Sequence, residues 1–229
     1  MVDPASGSIR DRALLVMDRV RRAEERAGRP QGSVRIVAVS KTRGVPAILE
    51  ALEAGIAEFG ENYVQEAEGK AIGLPGGLIL HMVGGLQSNK AKRAARIFSM
   101  VQGLDSESAA QALDRACQDL GKRMDVLVQV NMASELTKGG IEPSDLEGFL
   151  QSLASLENIR PRGIMVIPPV GQSARYFPEA RRIFEDARKN AADPGSFDLL
   201  SMGMSADFEE AVSEGAGIVR IGRAIFGER

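Results

Sequence analysis

The chain has 229 residues, 44% hydrophobic and 26% charged, with a formal net charge of -2, one cysteine and one histidine. That length supports one large core and is short for two full domains, so residues 1–229 are expected to form a single domain with a leading helix within 1–30. The charge balance gives no basic footprint for nucleic acid, one cysteine excludes a disulfide framework and, with one histidine, argues against a metal centre. No stretch approaches the roughly 20 apolar residues of a membrane span, and a cytoplasmic protein without membrane partners is expected.

Taken in order, residues 8–27 carry Ile9, Ala13, Leu14, Val16, Met17 and Val20 among arginines and close at Gly28 and Pro30, a helical pattern. The run VRIVAVSKT follows at 34–42. Its β-branched, nearly continuous apolar segment suits a strand buried on both faces of a parallel sheet, with Lys41 at the exit. Further strands are expected at 56–59, 78–83, 97–101, 125–130, 159–166, 197–200 and 218–221. Helical patterns fall between them at 45–54, 63–71, 88–95, 106–120, 143–156, 174–190 and 207–214. This alternation matches a closed (β/α)8 TIM-type barrel with an extra N-terminal helix. An open doubly wound sheet is the alternative, weakened because no GxGxxG follows Val39.

Polar residues gather at the expected strand exits: Glu61, Asn62 and Tyr63, then Gln87, Asn89 and Lys90, then Asn131, Glu135 and Lys138. That is the face on which such barrels carry their sites. A lysine at a strand exit can equally be a solvated turn residue, and Asn62 or Asn89 can serve only as caps. The far end of the chain favours a site. Ser201, Gly203 and Ser205 form a small-residue loop before Asp207, which is placed to cap a helix, and such helix starts attract phosphate. If the sheet closes, the last strand lies beside the first, and Lys41 shares one mouth with this cradle. His81 is expected to be a structural histidine bonded to a neighbouring strand or loop, Glu61 to pair with a cation such as a rim lysine, and Cys117 to be unreactive. Lys90, Lys138 and Arg223 are expected to form a secondary anion site at the rim.

VAVSKT at 37–42, FGENYVQEA at 59–67, HMVGGLQSNK at 81–90, GIMVIPP at 163–169, LSMGMSADFEEAV at 200–212 and VRIGRAIFG at 219–227 resemble the pyridoxal-phosphate homeostasis protein family. The resemblance spans nearly all of the chain from Val34 onward. It implies a barrel like the N-terminal domain of alanine racemases, holding pyridoxal 5'-phosphate (PLP) as a Schiff base on Lys41. The family's role is in cellular vitamin B6 supply, without established catalysis. It further implies a phosphate site of Ser205, the Ser201 hydroxyl and backbone N–H groups around Met204, Gly222 and Arg223, with Asn62 at the cofactor and Arg220 facing the pyridine nitrogen. A monomer that passes PLP to apo-enzymes is expected, the alternative being a PLP-dependent racemase using Lys41 as a base. Such a racemase needs a second acid/base on the opposite face of the ring. Only Tyr63 and Tyr176 are available as tyrosines.

Overall fold

The computed structural model describes residues 7–133 and 139–228. Helix α1 (Ile9–Arg26) opens it, started by a reciprocal pair of bonds between Ser8 and Asp11 that satisfies the first free N–H groups. Then come β1 (Arg35–Val39), α2 (Val45–Glu53), β2 (Glu58–Glu61), α3 (Val64–Ala71), β3 (Ile79–Gly85), α4 (Ala91–Ile97), β4 (Met100–Leu104) and α5 (Glu107–Asp119). The second half runs β5 (Met124–Val130), α6 (Leu146–Leu153), β6 (Ile159–Val166), α7 (Ser173–Asn190), β7 (Leu199–Ser201), α8 (Phe208–Ser213), β8 (Ile218–Ile221) and α9 (Arg223–Phe226). All the strands are parallel, and β8 pairs with β1 to close an eight-stranded barrel. The closed barrel expected from the alternation is the architecture found.

Side chains alternate across each strand, so a barrel divides its residues into an inner and an outer set. Val37, Val83, Met100, Leu127, Met165, Leu199 and Ile218 form the inner apolar cluster. A much larger outer cluster joins strands to helices, with Phe59, Phe98, Phe177, Phe197 and Phe208 among its fully buried members. At the N-terminal end of the strands, ion pairs form between Arg35 and Glu58, Arg160 and Asp125, and Arg162 with both Asp125 and Asp198.

Helix α1 fastens the seam where the sheet closes, packing on α2, α8 and α9. Its buried Glu24 accepts the backbone N–H groups of Gly32 and Val34 just before β1. Arg12 donates to the Ile225 carbonyl, and Arg29 to those of Val212 and Ala216. First and last elements are thereby joined on the outside as well as through the ladder.

Several strands extend further toward the site than the apolar pattern indicates. β2 includes Gly60 and Glu61, β3 runs to Gly85, β4 spans Met100–Leu104 instead of 97–101, and β7 includes Ser201. Ladder bonds are made by the backbone, so a strand continues past its last apolar side chain. The β4 shift brings Gln102 and Gly103 inside the barrel wall. An added Cβ at Gly103 would lie 2.3 Å from the Gly84 carbonyl oxygen, so two strands meet there backbone to backbone.

At Gly163 (φ 149°) a Cβ would fall 1.8 Å from the Leu199 oxygen, whereas at Gly148 in α6 it would meet open space. Gly163→Ala is expected to cost about 3 kcal/mol or more, since rigid backbone stands in the way. Gly148→Ala should stabilise by about 0.5–1 kcal/mol by restricting the unfolded chain. Urea unfolding of the two variants measures both signs.

Candidate functional site

Residues 35, 37 and 39 of β1 face the barrel interior, so two further residues on, Lys41 belongs to the same side, at the mouth. Thr42 follows with φ 65°, the sole non-glycine with positive φ among the described residues. A β-branched residue is costly there and persists only where its surroundings hold it. The Thr42 N–H donates to Glu66 Oε1 at 2.5 Å, and the Arg43 N–H closes a turn onto the Ser40 carbonyl at 3.0 Å. Behind the turn, the fully buried Ser40 donates its hydroxyl to Glu61 Oε1 at 2.6 Å. Lys70 of α3 donates from Nζ to the Ser40 carbonyl (2.8 Å) and Glu61 Oε1 (2.7 Å), and lies 2.7 Å from Glu66 Oε1.

Burial pushes the Glu61 carboxyl above the ordinary glutamate range, against the pull of Lys70 and Ser40. Burial works the same way on Glu66, but Lys70, the Thr42 N–H and the Lys41 charge hold it below that range. Glu61 thus has the cationic partner expected of it, supplied by α3 and not by a rim lysine. Its Oε2 is buried without a hydrogen bond.

A second polar group crosses the barrel interior. Arg220 of β8 donates from Nη1 to Ser201 Oγ (2.6 Å) and from Nη2 to the Val166 carbonyl (2.9 Å). Ser201 donates to Gln102 Oε1 at 2.7 Å, and Gln102 Nε2 lies 2.9 Å from His81 Nδ1. His81 Nε2 is 3.1 Å from Glu58 Oε2, close enough to pair although not well aligned for a linear bond, and Arg35 holds Glu58 from the other side. Burial opposes the charge on Glu58, but His81 and Arg35 keep its carboxyl below the usual range. Burial pulls the Arg220 guanidinium down to about 10, with Asp207 acting in the opposite sense. Arg220 therefore stays charged at neutral pH. His81 is the structural histidine expected, bonded to Gln102 of the neighbouring β4.

At the phosphate end, Ser201, the Met204 N–H and Asp207 are engaged differently from expectation. Ser201 ends β7 facing inward, and its hydroxyl is engaged by Gln102 and Arg220, not turned toward the loop. The Met204 N–H is taken by Asp207 Oδ1 at 2.7 Å. Asp207 therefore reaches backward and makes no side-chain cap on α8. Ser205 Oγ accepts the Ala224 N–H at 3.1 Å, tying this loop to α9. Gly222 sits beside Val39, where a Cβ would be 3.4 Å from the Val39 oxygen, and Arg223 is exposed, 3.7 Å from Glu228 Oε1. Asn62 is half-buried at the exit of β2 and, with Tyr63, Met82, Gln87 and Lys90, lines a cleft of about 290 Å³.

Lys90 follows β3 and Arg223 follows β8, with β1 and β2 between those strands in the ring. Glu135 and Lys138 lie outside the described residues. Cys117 is buried on α5, and burial pushes its thiol up. A larger groove of about 470 Å³ lies between α6 and α7 on the flank of the barrel, and Lys41 and Arg220 are not among its lining.

Sequence reasoning missed Gln102, Glu58, Glu66 and Lys70. A lone glutamine in the run MVQGL (100–104), where every other residue is buried and apolar or glycine, was the available signal. Lys70→Met should cost about 3 kcal/mol at neutral pH because it strands the Glu61 charge. Losing Lys70 raises the Glu61 carboxyl further above its unfolded value, so the folded state binds the proton more readily than the unfolded one. The deficit therefore grows as pH rises and narrows as pH falls toward the ordinary glutamate range. Denaturant titrations at pH 5 and pH 7 distinguish this from a plain packing loss.

The family described as alanine racemase, N-terminal domain, matches residues 16–229. A pyridoxal phosphate homeostasis protein of Pseudomonas aeruginosa is 39% identical over 227 residues, covering 97% of this chain and 96% of that protein. The protein of that name from Escherichia coli K12 is 37% identical over 220 residues, covering 93% and 94%. PipY of Synechococcus elongatus, solved with PLP bound, superposes with a TM-score of 0.79 at 37% identity, covering 93% of this chain and all (100%) of that one. An alanine racemase from Corynebacterium glutamicum shares the fold at 18% identity and a TM-score of 0.68, covering 96% of this chain and 61% of that one.

Proposed function

This chain belongs to the alanine racemase N-terminal domain family, and from that premise we propose that it binds PLP through Lys41 and serves PLP homeostasis without catalytic turnover. One observation carries the reading: the pairing of β1 with β8, Val37 beside Arg220 and Ala38 beside Ile221, sets a lysine at one strand exit above a buried guanidinium on the next strand. When bound, the cofactor supplies an aldehyde that condenses with a primary amine with loss of water, and a conjugated pyridine ring.

The donor set fits that group. Lys41 provides the amine, held in place by the turn that Glu66, Lys70 and Ser40 fasten from behind. Ser205 and the backbone N–H groups of Gly222 and Arg223 are the phosphate donors, Met204 and Ser201 contributing through the loop's shape and through Arg220. Asn62 follows β2, the strand next to that of Lys41, and lines the adjoining cleft. A guanidinium that stays charged opposes a proton on a nearby ring nitrogen and so weakens the ring as an electron sink. This disfavours transaminase-type carbanion chemistry; the choice of a carrier over a racemase rests on the second acid/base that racemisation needs. Tyr176 is buried in the helix layer, and Tyr63 is 64% exposed and lines, with Asn62, a cleft whose lining does not include Lys41. In this reading residues 1–229 act as one domain, a monomer that delivers PLP to apo-enzymes.

The test is the visible spectrum of the purified, PLP-loaded protein before and after borohydride, with mass spectrometry of the peptide containing Lys41. A band lost on reduction and a pyridoxyl mass on Lys41 are expected, both absent in Lys41→Ala. A protein that stays colourless and unmodified after incubation with PLP overturns the assignment. Turnover of alanine by the loaded protein above a borohydride-reduced control would select the racemase.

A further inference from the structure

We propose that Gln102 is a positioning residue for the cofactor site: a hydrogen-bond chain of fixed direction, running from His81 through Gln102 and Ser201, aims the Arg220 guanidinium, with the Glu58 carboxylate close to the far side of the imidazole. The inference rests on the PLP reading above and extends it to residues that do not reach the mouth.

The direction follows from the Arg220 end. A guanidinium has only donors, so Ser201 must accept there and hand its own proton on. Ser201 Oγ accepts from Arg220 Nη1 at 2.6 Å, and its own proton goes to Gln102 Oε1 at 2.7 Å. The amide therefore presents Nε2 to His81 Nδ1 at 2.9 Å, and Nδ1 must accept. The remaining proton of a neutral imidazole then sits on Nε2, facing Glu58 Oε2 at 3.1 Å.

Reversing the amide would leave the Ser201 proton without an acceptor and turn a bare nitrogen toward the Glu58 carboxylate. Unmade bonds are expensive here, since Gln102, His81 and Ser201 are all fully buried at 0% exposure. Ser201 on β7 and Gln102 on β4 are not neighbours in the sheet, so their bond spans the barrel interior. It connects the Arg35–Glu58 pair at the N-terminal end to the guanidinium beneath the strand exits. Val166 O fixes the other nitrogen of Arg220, so Ser201, and through it Gln102, settles the rotation of the group.

His81 is the sole histidine, so tag-free protein labelled with 15N-histidine reports one imidazole. The neutral Nε2–H tautomer is expected in the apo-protein, and its resonances should move when the protein is saturated with PLP, although His81 lies away from the mouth. An Nδ1–H tautomer overturns the chain whether or not PLP binds, whereas failure of PLP to bind with the expected tautomer present counts against the cofactor reading alone. Gln102→Met keeps the volume but removes both bonds. It should retain its far-UV circular dichroism, lower PLP affinity about tenfold and displace the absorption band of the bound cofactor. Unchanged affinity and band overturn the proposal. If Gln102→Met does not fold, Ser201→Ala makes the same cut between Gln102 and Arg220 and is read by the same two criteria.

Discussion

Closure of the sheet by the β1–β8 ladder is the constraint on which the site depends. Residues 41 and 220 are far apart in the chain, and only the registration of Val37 with Arg220 places a rim lysine over an interior arginine. The bonds from α1 and the loop after it to Val34, Ala216 and α9 reinforce the same seam from outside. Anything that loosens that seam therefore acts on the fold and on the site together.

The barrel interior is built in two chemistries. One side is a compact apolar set from alternate strands, and the other is a line of polar groups bonded from Arg220 through Ser201 and Gln102 to His81. Burying a guanidinium, an imidazole and two amide or hydroxyl groups in the core is costly unless every group is paired. The pairing observed here offsets that cost and, at the same time, removes rotational freedom from Arg220. Outside the wall, Glu61, Glu66 and Lys70 do the equivalent for the Lys41 turn, holding Thr42 in a backbone conformation that it would not adopt unaided. The two clusters lie on opposite faces of the strands and converge on one mouth.

Much of the fold was legible because helical and strand periods are local. The strands at 35–39, 159–166 and 218–221 fall at the bounds expected from the sequence. β2, β4 and β7 were cut short or misplaced because Gly60, Gln102 and Ser201 look like loop residues when judged by polarity. The same misjudgement put the Ser201 hydroxyl at the phosphate end, where the structure turns it inward. Asp207 reads as a cap in sequence, yet its carboxylate bonds to the Met204 N–H before it, a choice made by the loop's path.

The sequence by itself determined the alternation of elements, the barrel class, the family resemblance and Lys41 at a strand exit, because each is written in neighbouring residues or in ordered motifs. Tertiary structure decided which polar residues meet. Lys70 reaches Glu61 from a helix, and Gln102 reaches Ser201 across the barrel; no spacing along the chain encodes a contact made only when the strands curl into a closed ring.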